Sequence, residues 1–429
     1  MKTTAQIAAE LQGCDPQAMR VADVNRFLEQ LVEPVTQSEP LALRDALGRV
    51  LAHDLVSPIS VPPHDNSAMD GFAFDGSQLR AGQALVLRLC GTALAGKVWR
   101  GRVAAGECLK ITTGAVMPGA LDTVVPLEFV QARGDVIEIP ADVVRAGDNR
   151  RLLGEDLLAG QAALRRGQLL GPAALGLIAS LGLGTVSVRR RVKVAYFSTG
   201  DEILSLGQAP RAGAVFDSNR YTVCGLLQRL GVEVIDLGVV ADSPTLLQAA
   251  FHQAAACADA VITSGGVSVG EADHTRSMLR QLGDMAFWRV AMRPGRPLAV
   301  GRISSAADHG GAGTLVFGLP GNPVAVMVTF LVFVRPALLR LMGCSAVEPV
   351  LLKAHSLEPL RKKPGRTEYQ RGIVGQSADA RLSVRVTGNQ GSGVLHSMVQ
   401  ANGLIVLHHD QSDVAAGDEV DVMMFDGVV

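Results

Sequence analysis

The chain is poor in the residues on which several functional classes depend. Its six cysteines, Cys14, Cys90, Cys108, Cys224, Cys257 and Cys344, are scattered without a CxxC or a regular spacing. That disfavours a disulfide framework or a zinc site and suits a reducing cytoplasm. Aromatic residues are only 4% of the chain while glycines number 47, which implies many turns and small-residue packing. Charge of neither sign dominates: 40 basic residues face 41 acidic ones, leaving no global footprint for nucleic acid or an anionic membrane. Any anion site must be local. Long apolar runs are also lacking. The stretch Pro323 to Val334 is too short before Arg335 to span a bilayer and reads as a buried or interface helix, and the start, Met1 to Leu11, has no continuous apolar core and reads as no secretory signal. What is present is 429 residues with 48% hydrophobic content, enough for three or four globular domains.

Apolar residues at helical spacing predict short helices over Pro16 to Leu31 and Leu41 to Ala52. From Ser57 to Asp148 the texture changes to short β-rich runs broken by glycines, predicting a small inserted β domain. The helix expected at Pro172 to Ser180 and the run Val186 to Arg191, which ends in three arginines, return the chain to its first element. Between Val192 and Met342 strands alternate with helices, the rhythm of a doubly wound, mostly parallel sheet in an α/β domain. After Pro349 short strands alternate to the end, a second small β domain.

Four polar motifs fall at the carboxyl ends of the α/β strands, where such sheets bind ligands. They are Ser198-Thr199-Gly200-Asp201-Glu202, Asp242-Ser243-Pro244, the loop running from Ser264-Gly265-Gly266-Val267-Ser268 to Glu271 and Asp273, and Leu319-Pro320-Gly321-Asn322-Pro323. Glycines let backbone N–H groups approach an anion, and a helix starting near Asp273 directs its positive end there. Asp201, Glu202, Asp242, Glu271 and Asp273 are expected to face one crevice, and neighbouring carboxylates without histidine or thiol partners call for Mg²⁺. Arg289, Arg293 and Arg296 add a cationic rim suited to phosphate or a tetrahedral oxyanion. Plainer roles exist for each: Asp201 and Asp242 as helix-cap or turn residues, the arginines as a solvated face, and His408-His409 as surface pairing.

Taken together and in order, Asp65-Asn66-Ser67-Ala68-Met69-Asp70-Gly71, Ile111-Thr112-Thr113-Gly114, Gly154-Glu155-Asp156 and the three strand-end motifs that begin at Ser198, Ser264 and Leu319 resemble the MoeA and gephyrin E-domain family of molybdopterin molybdenumtransferases, from about Asp15 to the C-terminus. The resemblance implies an elongated discontinuous domain (15–56 and 149–190), the inserted β domain (57–148), an α/β molybdopterin-binding domain (191–345) and a C-terminal β barrel (346–429). It also implies a homodimer with sites where two subunits meet, and admits molybdopterin adenylyltransferase and acceptor proteins as partners. The implied reaction inserts molybdate into adenylylated molybdopterin and releases AMP, with Mg²⁺ accompanying the substrate.

Matched by motif, Asp65, Thr113 and Asp156 would come from one subunit, and Glu202, Asp242, Asp273, Arg289, Arg293, Pro320 and Pro323 from the other. Arg366 and Ser392 would reach in from the barrel. The implied catalytic carboxylates are Asp65, Asp156, Glu202, Asp242 and Asp273, with Glu202, Asp242 and Asp273 also as metal ligands. Ser264, Gly265, Gly266, Ser268 and Arg296 join the substrate-binding set. The chain departs from the family in carrying Arg289, Arg293 and Arg296 where lysines are usual, which keeps charge but removes a tunable ammonium. Phe72 replaces a usual tyrosine. Two other activities compete with the insertase: adenylyl transfer to molybdopterin, which uses a related Ser-Gly-Gly loop, and a non-catalytic scaffold.

Overall fold

Period-two alternation builds the inserted β domain. In Gly71–Phe74, Phe72 and Phe74 enter one apolar core with Leu87, Cys108 and Ile137, while Ala73 enters another with Leu109, Ile111 and Val124 on the opposite face. Six strands result, in the order Thr123–Pro126, Gly71–Phe74, Glu107–Ile111, Leu85–Ala93, Val136–Ile139 and Gln131–Arg133. The structure, a computed structural model, describes residues 2–11, 15–265, 274–304, 313–377 and 379–425.

The helix expected from Pro16 starts at Val21 and ends at Leu31, and its apolar face packs into the core of the α/β sheet, with the Phe27 ring edge-on to Trp288 at 4.6 Å. The helix expected over Leu41 to Ala52 does not form. Ser38–Ala42 is instead a strand paired antiparallel with Thr185–Arg189, and only a 3-10 turn, Leu43–Asp45, follows. Long-range pairing overrides the local spacing here: Leu51 and Leu170 donate to the carbonyls of Gln168 and Arg49, and Gly48 takes a left-handed φ of 70°. Two more short pairings, Leu55–Val56 with Ala162–Leu164 and Asn66–Ser67 with Arg150–Arg151, carry the chain out to the β domain and back.

The α/β domain is built on β1 (Lys193–Thr199), β2 (Glu233–Val240), β3 (Ala260–Ser264), β4 (Gly283–Arg289), β5 (Pro297–Ile303) and β6 (Thr314–Leu319). Their order is β2-β1-β3-β6-β5-β4. The pairings from β2 through β6 are parallel, and β6-β5 and β5-β4 are antiparallel. Strand β4 was not expected from sequence. The antiparallel β5 makes the sheet mixed, and β4 pairs with its outer side, so β5 is covered on both sides. The long helix expected over Val324 to Met342 forms as Pro323 to Leu341, with a π-helical stretch at Phe330–Val334. At 19 residues it is long enough to cross a membrane by composition, but 72% of it is buried inside the fold.

The C-terminal strands Leu351–Ser356, Thr367–Gln376, Leu382–Val386, Gly403–Leu407 and Glu419–Met424 close into a five-stranded barrel, because Thr367–Gln376 pairs with both Leu382–Val386 and Gly403–Leu407. Its core holds Ala354, Val384, Ile405, Leu407 and Val422.

Candidate active site

Parallel strands bring their carboxyl ends to one edge, and two of those ends, β1 and β3, are tied together by hydroxyl groups. The buried Tyr196 Oη lies 2.8 Å from Ser198 Oγ and 2.7 Å from Ser264 Oγ, and Ser198 Oγ donates to Asp217 Oδ1 at 2.9 Å. Asp217 also caps the helix Ser218–Leu230 by accepting from Arg220 N. Burial raises the Tyr196 phenol pKa well above its ordinary value, so it remains a neutral hydrogen-bonding group. Ser264, expected to bind ligand directly, is buried and engaged with Tyr196 at the strand end. Gly265 follows with φ +90°, and a Cβ there would land on the carbonyl oxygen of Thr199. Only glycine lets these two strand ends approach so closely.

Next to this edge is a cavity of about 780 Å³ that unites residues from two domains. Glu202, Gly265, Arg293, Arg296 and Pro320 line it from the α/β domain, and Arg366 and Ser392 from the barrel. The junction is a strand pairing: Met292–Arg293 runs parallel to Thr367–Glu368, and Thr367 N donates to Ala291 O at 2.9 Å. Arg293 and Arg366 are thereby set on adjacent backbones. Gly295, at φ +97°, packs the turn against the long apolar helix; a Cβ there would come 2.5 Å from Thr329 Cγ2. On the far side Val324 N donates to Ser392 O at 3.1 Å, and Asn219 Nδ2 donates to Gly321 O at 2.7 Å.

Arg366 donates through Nε to Glu368 Oε1 at 2.8 Å, whereas among the described residues neither Arg293 nor Arg296 has an ion-pair partner. Sequence reasoning missed Arg371, whose side chain is buried behind this wall. Its guanidinium donates to Ser397 Oγ at 3.0 Å, to Asn389 O at 3.2 Å and to Gly391 O at 2.9 Å. Burial, and secondarily the charge of Arg293, lower its pKa to about 10. The available signal was period-two alternation from Tyr369, which sets Arg371 on the strand face that packs toward the α/β domain, while Gly372 on the other face meets the barrel-core residues Val384 and Ile405.

Other expected residues stand elsewhere. Asp242 N donates to Asp201 Oδ1 at 3.2 Å, so these two acids meet at the strand ends, but neither lines the cavity. Arg289 is exposed at the end of β4, with its N–H on Pro16 O and its carbonyl accepting from Met19. It does not join Arg293 and Arg296. Pro323 opens the apolar helix just behind the cavity wall. Asp65 accepts from Leu153 N at 2.6 Å and from Arg150 Nε at 2.9 Å, and these bonds, the amide first, hold its carboxyl below the usual 3.8. Thr113 donates twice to Asp70, and Asp156 is exposed with its amide on Val61 O. None of Asp65, Thr113 and Asp156 lines the cavity of its own chain. Gly266, Ser268, Glu271 and Asp273 lie outside the described residues. His408 Nε2 meets Asp421 Oδ2 at 2.6 Å, a surface pairing. Among the described residues no three His, Cys, Asp or Glu side chains group as a metal site, and five described cysteines are free.

Three family models match the chain in succession. They are the MoeA N-terminal region (domain I and II) over residues 19–182, a probable molybdopterin binding domain over 195–340 and the MoeA C-terminal region (domain IV) over 353–425. The chain is 39% identical over 402 residues to a molybdopterin molybdenumtransferase of Haemophilus influenzae, covering 94% of this chain and 97% of that one. A protein of the same name from Nostoc is 34% identical over 411 residues, covering 94% and 93%. Among solved structures, a molybdopterin biosynthesis moeA protein from Pyrococcus horikoshii OT3 matches with a TM-score of 0.80 at 26% identity, over 95% of this chain and 100% of that one.

Proposed function

The chain belongs to the molybdopterin molybdenumtransferase family and is a transferase of molybdenum cofactor synthesis, and from this premise we propose that it inserts molybdate into the dithiolene of adenylylated molybdopterin with release of AMP. The observation that carries the proposal is the convergence of Arg293, Arg296 and Arg366 on one cavity from two domains. Molybdate is a dianion, and it can sit beside the substrate's phosphates only where cations outnumber carboxylates. Glu368 offsets Arg366, which leaves Arg293 and Arg296 to face the ligands. Their guanidinium groups stay charged throughout, so they bind and orient anions and are not proton carriers.

Cleavage of the phosphoanhydride requires a nucleophile directed at phosphorus and compensation of charge on the departing AMP. Asp242, close to Asp201 at the strand ends, suits the orientation of water, and Arg296, which lines the cavity, suits the leaving phosphate. Asp201 and Asp242 are oxygen donors that meet at the strand ends, and although no three such side chains group among the described residues, substrate phosphates would complete a shell suited to Mg²⁺. Asp242, Asp273 and Glu202 would hold the ion, which supplies charge neutralisation at the phosphates when bound.

The functional unit is a homodimer in the cytoplasm. Asp65, Thr113 and Asp156 do not line the cavity of their own chain, and in this proposal they complete the site of the second copy. The adenylyltransferase supplies the substrate, and an acceptor apoenzyme takes the product. Purified protein with Mg²⁺ and adenylylated molybdopterin should release AMP only when molybdate is added. Consumption of ATP with molybdopterin would mark an adenylyltransferase, and tight binding without release would mark a scaffold.

A further inference from the structure

A guanidinium with no carboxylate beside it is costly to bury, and proteins normally pair such a charge or place it where an anion will meet it. Arg371 is 1% exposed, and its partners among the described residues are one hydroxyl and two backbone carbonyls, all neutral. The carbonyls belong to Asn389 and Gly391, in the loop that carries Gln390, Gly391 and Ser392 to the cavity wall. Gln390 is tied to the same residue through Arg371 N at 2.8 Å and Arg371 O at 3.2 Å. The loop is thus hung on Arg371 by both its backbone and its side chain. The charge that bears on Arg371 is another cation, Arg293, which lines the cavity. Two positive groups therefore lie on either side of one wall, and the carboxylate that could have offset them, Glu368, is engaged with Arg366.

We infer that Arg371 is a positioning residue of the oxyanion cavity: it fixes the Asn389–Ser392 loop and supplies, from behind it, a buried positive charge that is offset when a dianion binds. This rests on the proposal that the cavity takes molybdate. Water is excluded around Arg371, so its field reaches the cavity with less screening than that of an exposed arginine. A field acts on ligand charge, and this separates it from a purely structural role. Molybdate and perrhenate are tetrahedral and nearly the same size, but carry two negative charges and one. Removing a field source should weaken the dianion by the square of the factor for the monoanion.

The test is calorimetric titration of the full-length protein with molybdate and, separately, perrhenate at low salt. Two neutral variants run in parallel, Arg371→Gln, which keeps donors to the loop, and Arg371→Met, which fills the buried volume, so that either one that folds decides. Arg371→Lys is the charge-retaining control. The neutral variants are expected to bind molybdate about tenfold more weakly and perrhenate about threefold more weakly, while Arg371→Lys keeps the wild-type ratio of the two affinities. Equal losses for both anions, or no loss in a folded neutral variant, would overturn the inference and leave the cavity's function standing. A wild-type protein that binds neither anion would instead remove the oxyanion site itself.

Discussion

Gly265 illustrates how single residues set the site. Its φ of +90° and the Thr199 carbonyl leave no room for a side chain, so Gly265→Ala should lose roughly 2 kcal/mol and displace the loop, seen as a lower urea midpoint. Asp65 makes a pH-dependent contribution. Its folded pKa lies below the unfolded value of 3.8, so the stability it gives is complete above 3.8 and lost as pH falls through the folded value. Asp65→Asn should therefore cost about 1 kcal/mol near neutral pH, with the gap from wild type closing in acid, as read from urea midpoints across pH. The candidate residues legible in sequence were those in short punctuated runs. Arg293-Pro294-Gly295-Arg296 announces a turn with two cations, and that turn does reach the cavity. Arg289, only four residues earlier, does not, because a β4 edge that no local pattern marked carries it away. Arg371 was harder to read for the opposite reason: alternation from Tyr369 gives its strand face, but the residues that cover it, Asn389, Gly391 and Ser397, come from a segment about twenty positions on.

Elements carry the site through their ends. Strands β1 and β3 finish in Ser198 and Ser264, and the phenol of Tyr196 joins the two while Asp217 ties them to the helix Ser218–Leu230. Tyr196→Phe should preserve the fold yet cost about 1–2 kcal/mol, because two buried hydroxyls lose a shared partner. The check is thermal denaturation alongside near-ultraviolet circular dichroism. Strong strand–helix alternation made most of the α/β domain readable, from β1 to the helix Pro323–Leu341. The segment from Leu41 to Ala52 was misread because its apolar spacing suits a helix, while its backbone is claimed by residues more than a hundred positions away, Thr185 to Arg189 and Gln168 to Leu170. Register with a distant strand leaves no periodic trace in the segment itself.

At the scale of the whole molecule, the barrel is more than an appendage: pairing of Thr367–Glu368 with Met292–Arg293 brings Arg366 and Ser392 to a wall the α/β domain leaves open. The opposite relation holds for Asp65 and Asp156, which do not line that cavity within one chain. If two copies complete each other's sites, randomly mixed dimers of Asp65→Ala and Arg296→Ala subunits should recover about a quarter of wild-type AMP release, since half the dimers would hold one intact site. Sites completed within a single chain would recover none. The central claim, that the arginine cavity between barrel and sheet receives the oxyanion, is tested most directly by a crystal of the protein soaked in tungstate, located by its anomalous scattering. The tungsten peak should lie within hydrogen-bonding reach of Arg293, Arg296 and Arg366. A strong peak outside this cavity, with none inside it, would contradict the account.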